Sequence, residues 1–244
     1  LAVVVDLMPG LRLLHAVGMA HQPPSFVVPV PGLAVANLQG GLQRSLQASA
    51  GVELELPWST TATITAFDSV FMNMTDSLGV DPGDNDRLTL SRSLGYGRGV
   101  ELYLRRPLTK RLGGFISYTL SRSQRSAGRF SFPSGFDRTH VLNSALGYDL
   151  GRNWRVGTRF SLYSGPPRID PPGAGSLGVR LPVPTRDPAF YRLDFRLEKK
   201  WRFDDTTFLA FVVEMLNATL NTETIRGQEV GPVSIPSIGL EGGF

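Results

Sequence analysis

Charged residues spaced two apart are the first chemistry this sequence offers. Arg192, Asp194, Arg196 and Glu198 alternate with Tyr191, Leu193, Phe195 and Leu197. An extended strand places those four charges on one face, where they can pair across to neighbouring strands and line an aqueous passage. The same ladder could equally be a set of satisfied interior ion pairs that only stabilise the fold. Arg155 and Arg159, and Glu101 and Arg105, occupy equivalent alternating positions in their own segments. Together with Arg98 they give the charged face an arginine surplus, which would favour anionic solutes through guanidinium contacts.

Hydrolytic and metal chemistry is poorly provided for. His15, His21 and His140 fall in three different segments, and only His140 has an acid and a hydroxyl nearby in sequence, Asp137 and Ser144. A local Asp–His pair more often orders a loop than activates a nucleophile. No G-x-S-x-G, H-E-x-x-H or phosphate-cradling glycine loop occurs. Asp81, Asp84 and Asp86 around Gly83 resemble part of a calcium loop but lack the distal glutamate, so they read as a solvated loop. With no cysteine, thiolate zinc sites, disulfides and iron–sulfur clusters drop out together. The expectation is a non-enzyme with no catalytic residue, metal or cofactor.

Composition narrows the class further. Only 41% of the 244 residues are hydrophobic and 19% are charged, a balance that suits neither a bundle of membrane helices nor a disordered tail. Glycine and proline, 27 and 18 residues, are spread along the chain, which favours many short elements joined by turns. The net charge of +4 comes from arginines occurring singly or in pairs, not in a basic block, so nucleic acid is not expected as a partner. Leu1 to Asp6 is apolar without a basic leader, which suggests a mature form or an internal piece.

Period-two alternation is what must position the charges, and it recurs. Val100, Leu102 and Leu104 oppose Glu101, Tyr103 and Arg105; Ala50, Val52, Leu54 and Leu56 oppose Glu53 and Glu55. Ile116, Tyr118 and Leu120 alternate with serines and a threonine, Trp154, Val156, Phe160 and Leu162 with arginines, and Leu209 to Met215 more weakly. Short turns fall at 8–10, 57–59, 108–111, 151–153 and 204–205. Longer Gly/Pro/Asp-rich loops fall near 21–41, 75–90, 123–138, 165–187 and 217–231, the fourth stiffened by Pro166, Pro167, Pro171 and Pro172. Short turns on one side and long loops on the other, joining segments of about ten residues, describe a transmembrane antiparallel β-barrel better than a soluble sandwich, whose strands average five or six. Tyr103, Tyr118, Tyr148, Trp154, Trp201 and Phe203 lie near segment ends, where an interfacial girdle would form. The fold class is therefore all-β, a barrel region spanning 1–244 with about 10–12 strands, and the alternating charges are expected to line its lumen.

The final segment, Pro236 to Phe244, carries Gly239, Leu240 and a terminal Phe244, the pattern that barrel-assembly machinery reads, with Gly242 departing from it. Gly97-Arg98-Gly99-Val100-Glu101-Leu102, Ser117-Tyr118-Thr119-Leu120-Ser121, Phe136-Asp137-Arg138-Thr139-His140-Val141-Leu142-Asn143, Tyr163-Ser164-Gly165-Pro166-Pro167 and Tyr191 to Lys199 follow one another in order. In that order and spacing the chain resembles the C-terminal part of the barrel of TonB-dependent outer-membrane receptors. The resemblance implies a barrel of about 22 strands, an N-terminal plug absent from this sequence, uptake of a scarce solute such as an iron chelate, and partners in outer-membrane lipid and an energy-coupling protein.

Counting from the turns gives about eleven strands, and with a periplasmic C-terminus the first residue falls outside. A closed ring of eleven would need one parallel seam. Either residues 1–6 do not span and about ten strands close a small passive pore or structural barrel, or the chain is half of a 22-stranded barrel whose other half and plug come from a separate chain or an omitted segment. The second alternative is preferred, because the resemblance begins in mid-barrel.

Overall fold

The computed structural model describes residues 1–22, 41–74, 93–109, 111–127, 130–168, 185–204, 206–225 and 227–243. In chain order the strands are β1 (Ala2–Met8), β2 (Leu11–Gln22), β3 (Gln43–Leu56), β4 (Thr60–Met74), β5 (Ser93–Thr109), β6 (Leu112–Ala127), β7 (Phe130–Pro133) and β8 (His140–Gly151). They continue with β9 (Trp154–Tyr163), β10 (Pro167–Arg168), β11 (Thr185–Arg186), β12 (Phe190–Arg202), β13 (Phe208–Leu216), β14 (Glu223–Ile225), β15 (Gln228–Val230) and β16 (Ile235–Gly243). Eleven of them form one antiparallel path, β1-β2-β3-β4-β5-β6-β8-β9-β12-β13-β16, with β7 folded back on β6. The pairs β10–β11 and β14–β15 are small two-stranded sheets outside that path.

Neighbours along the path are also neighbours in sequence, so every odd connection lies at one end of the sheet and every even one at the other. The connections that follow β1, β3, β5, β8 and β12 make the short end. Trp58 and Ser59, and Arg152 and Asn153, have positive φ at both turn residues, the hairpin geometry whose twist matches the flanking strands. At 203–207 the turn is held instead by Asp204, whose Oδ1 accepts from the backbone N of Thr207 (2.6 Å), the backbone N of Thr206 (2.9 Å) and the Thr206 hydroxyl (3.1 Å).

Two of the expected long loops carry sheet. The 123–138 stretch reads as a loop from its Ser and Gly content, yet Ser123 to Ala127 continue β6 and β7 pairs back on them, because alternation persists through Arg125. Within 217–231 lie β14 and β15. The parts of the expected loops at 23–40, 75–90 and 169–184, with Asp81, Asp84, Asp86, Pro171 and Pro172, lie outside the described residues, as does Phe244. β1 is hydrogen-bonded along β2 through Met8, so the first residues belong to the sheet and do not stand apart from it.

Register keeps the two faces chemically distinct. On one face Ile64, Leu102, Tyr118 and Leu142 stand side by side across β4, β5, β6 and β8, with Leu54, Ala62, Leu104 and Ile116 alongside them. These side chains are exposed: Ile64 by 49%, Leu102 by 44% and Ile116 by 40%. Among the described residues only Met74, Ala210 and Val212 are buried hydrophobics, so the sheet has no apolar core of the soluble kind. Tyr148, Trp154 and Trp201 stand on this face at the short-turn end, and Lys199 lies 5.2 Å over Trp154 and 6.0 Å from the Trp201 ring. One expected role and one expected orientation are corrected. Tyr103 shares the face of Glu101 and Arg105, as the alternation predicts, and so takes no part in a lipid-facing girdle; it meets Phe115 at 6.0 Å between ring centroids. Arg98 belongs to the apolar face, since it shares the parity of Val100, and it sits opposite Asp68 and Arg122.

The three hydrogen bonds received by the fully exposed Asp204 hold its carboxyl down at about 2, the Thr207 N–H contributing most. A depressed carboxyl contributes stability above its unfolded pKa, near 4, and loses it as pH falls through about 2. Asp204→Asn should therefore lower the urea midpoint of unfolding at pH 7, and the gap from the parent should close as pH falls from about 4 to 2.

Candidate functional site

The eight residues of the charged ladders all project from the face opposite the apolar one, and the register shows why: Asp194 lies opposite Arg159, Glu198 opposite Arg155, and Glu101 opposite Thr119. They form separate clusters. Asp194 is 5% exposed and is the centre of the first. Its Oδ2 accepts from Arg159 Nε at 3.0 Å, and its Oδ1 receives Arg192 Nε at 3.0 Å and the Asn217 backbone N–H at 2.9 Å. Asn217, with φ of 51°, ends β13 in a turn, and its side chain donates to the carbonyls of Asn221 (3.0 Å) and Val233 (3.2 Å). The buried carboxylate thus ties β9, β12 and the connection after β13 together.

Arg196 is the centre of the second cluster. Its guanidinium reaches Glu214 on β13 at 2.7 Å, Glu198 on its own strand at 3.1 Å and Glu241 on β16 at 2.9 Å. The alternation identified Glu198 but not the other two. Glu214 and Glu241 are the single charges of β13 and β16, and an isolated acid in an otherwise uncharged strand was the available signal. The remaining ladder residues are looser. Arg155 is 4.0 Å from Asp149, Glu101 accepts from the Ser117 hydroxyl at 3.0 Å, and Arg105 stands exposed opposite Phe115 and Thr61. Farther along, Arg12 pairs with Glu53 and approaches Glu55 at 3.9 Å. Between the two main clusters lies a shallow depression of about 410 Å³ whose walls include Phe115, Arg159 and Arg196, with Ala145, Gly147 and Gly157 in its lining.

A third cluster, not found from the sequence, joins the long connections above the ladder. Asp137, 1% exposed, pairs with Arg186 and accepts from the Ser123 N–H; Arg186 also donates to the Gly165 carbonyl at 3.2 Å. Gly165 passes so close to the backbone of Asp187 and Pro188 that a Cβ there would fall on the Asp187 carbonyl. Arg138 lies 4.6 Å over the Tyr163 ring, donates to the Ser164 carbonyl at 3.0 Å and sits 3.7 Å from Glu223. The Asp137–Arg138 pair quoted for the family resemblance was the sequence signal of this cluster.

His140 does not meet Asp137. Its Nδ1 is 2.8 Å from the Tyr118 hydroxyl on the apolar face, while Asp137 is held by Arg186. His15 and His21 lie on β2, far along the sheet from β8. In the last strand Gly239 faces Val212 and the 70%-exposed Leu240 faces Phe211, and Gly242 leaves the apolar face without a side chain beside Leu209.

Replacing Asp194 by Asn should destabilise the folded protein by about 1.5–3 kcal/mol, the worth of hydrogen bonds to a charged group, because two guanidiniums lose their shared anion. The Asp149→Asn change should cost below about 1 kcal/mol, since its pair with Arg155 is long and exposed. Equilibrium unfolding in urea compares them.

The model of the TonB dependent receptor-like β-barrel family matches residues 1–221. Among solved structures, the chain is similar to the ferric citrate transporter FecA, at 15% identity and TM-score 0.70 over 98% of this chain and 36% of that one. The ferric-catecholate import receptor Fiu of E. coli K12 follows at 14% identity and TM-score 0.65, over 98% and 33%. The ferripyoverdine receptor of the Pseudomonas aeruginosa outer membrane gives 14% and 0.62, over 90% and 28%. No curated protein sequence matches. The chain spans about a third of these receptors' length, and at such identities the likeness is one of fold. An antiparallel sheet with an exposed apolar face, a face of arginine–carboxylate clusters, and a family match over nine-tenths of its length place this chain in the family of TonB-dependent receptor β-barrels, proteins of the bacterial outer membrane.

Proposed function

We propose that this chain forms part of the wall of an outer-membrane uptake receptor, with its apolar face against lipid and its charged face toward the lumen, and that it serves entry of a scarce anionic solute such as an iron chelate. The observation that carries the reading is the pairing of two unlike faces on one continuous ladder. One face is exposed hydrocarbon edged by Trp154, Trp201 and Tyr148. The other gathers Arg159 and Arg192 on a single carboxylate below the long connections. Two guanidiniums against one carboxylate leave that cluster an excess positive charge, in contrast to the three acids around Arg196, and its guanidinium forks suit the carboxylates and phenolates of metal chelates. The similar structures include receptors for ferric catecholate, ferripyoverdine and ferric citrate, which supports an iron chelate, and the copper transporter OprC, which has a similar fold and widens the choice of metal.

Partners follow from the same reading. Among the described strands β1 pairs only with β2 and β16 only with β13. A strand edge in hydrocarbon has no water to satisfy its N–H and C=O groups, so further strands, from the rest of the polypeptide or a second chain, complete the wall. The plug and the contact with an energy-coupling protein would come from there, and assembly machinery would engage β16.

Two measurements test this. In the full-length protein folded into phospholipid vesicles, Leu102→Arg should cost about 2–4 kcal/mol of unfolding free energy, the penalty for arginine at mid-bilayer, and Thr119→Arg on the charged face far less. Equal, small costs would place water on both faces. Second, the full-length protein in detergent should bind ferric citrate saturably by fluorescence quenching, and Arg159→Gln/Arg192→Gln should weaken binding at least about tenfold, roughly one charge-assisted hydrogen bond. Absence of binding together with steady conductance in a planar bilayer would favour a passive pore.

A further inference from the structure

On the apolar face, a charged row interrupts the hydrocarbon surface toward the long connections, with exposed Leu46, Val70 and Leu94 beyond it on β3, β4 and β5. Along β5 the outward residues are Leu104, Leu102 and Val100, and the next is Arg98. Directly opposite Arg98 stand Asp68 on β4 and Arg122 on β6, and the row beyond holds Val70, Tyr96 and Gln124. One charged row therefore lies a single pleat, roughly 6–7 Å along the strand, past the row of Ala66, Val100 and Leu120. On β6 no apolar residue follows, since Gln124 and Ser126 are the next two on this face, so with the face against lipid Arg122 stands at the head-group edge of the hydrocarbon.

The row is not neutralised from within. Arg98 and Arg122 face each other across the ladder, an arrangement of like charges that destabilises a sheet unless an anion intervenes. Asp68 is 3.9 Å from Arg98, with the two side chains 53% and 58% exposed, so it is a weak and hydrated partner. The guanidiniums are nevertheless held in place. Arg98 lies 4.6 Å over the Tyr96 ring. Gln124, with its amide oxygen turned to Arg122, accepts from Nε at 2.9 Å and Nη2 at 2.7 Å while its nitrogen meets the Tyr96 hydroxyl. Aromatic and amide neighbours steer two forks outward beside a hydrocarbon surface.

We infer that Arg98 and Arg122 bind the phosphate of a membrane lipid head group in the leaflet at the long-connection end. The chemistry fits on three counts: a phosphate oxyanion takes two guanidinium forks, it relieves the Arg98–Arg122 repulsion, and the attached acyl chains lie along Val100, Leu102 and Leu120. The exposed apolar rows directly below the row commit the site to a lipid and not to a free anion. The inference rests on the proposed lipid-facing orientation.

The test uses the full-length protein in a neutral detergent with dioleoyl phosphatidic acid as probe and dioleoyl phosphatidylcholine as the comparison, counting retained lipids by native mass spectrometry. Retention of phosphatidic acid should fall about fivefold to tenfold in Arg98→Gln and in Arg122→Gln, the loss of one charge-assisted contact. Arg106→Gln, on the same face at the other end of the belt, should leave it unchanged. Equal retention by the parent and the Arg98→Gln/Arg122→Gln variant would overturn the site, as would displacement of the lipid by millimolar inorganic phosphate, which would show a free-anion site only. Arg122→Lys keeps the charge but not the fork and serves if a glutamine variant fails to fold: retention equal to the parent would reject guanidinium recognition, and reduced retention would support it. The Leu102→Arg measurement reports separately on the lipid-facing orientation, so failure there is distinguishable from failure of the phosphate site.

Discussion

The antiparallel ladder is the constraint on which everything else depends. In hydrocarbon a backbone N–H or C=O left without a partner costs several kcal/mol, so each strand must be paired along its length. The path from β1 to β16 does this by linking neighbours in sequence, and its register is what separates the faces. Slipping one strand by a single residue would send Glu101 and Arg105 into the apolar surface and Leu102 into the charged one. Fixing the register therefore fixes orientation, charge placement and lipid exposure together. The two-residue turns at Trp58–Ser59 and Arg152–Asn153 support it locally, and Asp204 does so at the β12–β13 turn.

Stability in such a sheet cannot come from a buried apolar core, because almost none exists among the described residues. Cross-strand pairs replace it. Asp194 is the clearest case: a carboxylate removed from water is tolerable because two guanidiniums and a backbone N–H satisfy it. Arg196 answers the same need with the signs reversed, one cation among three acids on three strands. These clusters are satisfied ion pairs that also make up the charged face. A compensated cluster with exposed guanidinium edges can hold the strands in register and still present donors to a passing anion.

Strand positions, turns and the sense of most faces were legible in the sequence because period two is a local property. Tyr191 to Glu198 declares its two faces without reference to anything else. Arg98 was assigned to the lumen by type instead of parity, and Tyr103, whose face the alternation gives correctly, was counted in the girdle by type; parity with Val100 and Glu101 was the stronger guide. Partners across strands were not legible: Arg196 and Glu241 are 45 residues apart, and their meeting depends on the register of two intervening ladders. The Asp137–Arg186 pair depends on how two connections fold over one another, and no periodicity reports that. Glycine gives a partial exception, since Gly165 in a proline-rich segment marks a close backbone approach even where the approaching Asp187 cannot be guessed.

Strand direction sets a last condition on the assembly. Ten antiparallel steps separate β1 from β16, so the two edge strands run the same way. Joining them directly would create a parallel seam inside a sheet whose every other pair is antiparallel. A closed, fully antiparallel ring that contains this sheet must therefore insert an odd number of strands between the two edges, which makes the total even, as bacterial outer-membrane barrels require. Eleven further strands would give twenty-two; one would give a barrel of twelve. The exposed Ile238 and Leu240 on β16 and Val3 and Val5 on β1 show that both edges continue the apolar face. Any inserted strand must then carry its own apolar residues in register with these, so the completing segment is constrained in pattern as well as in number.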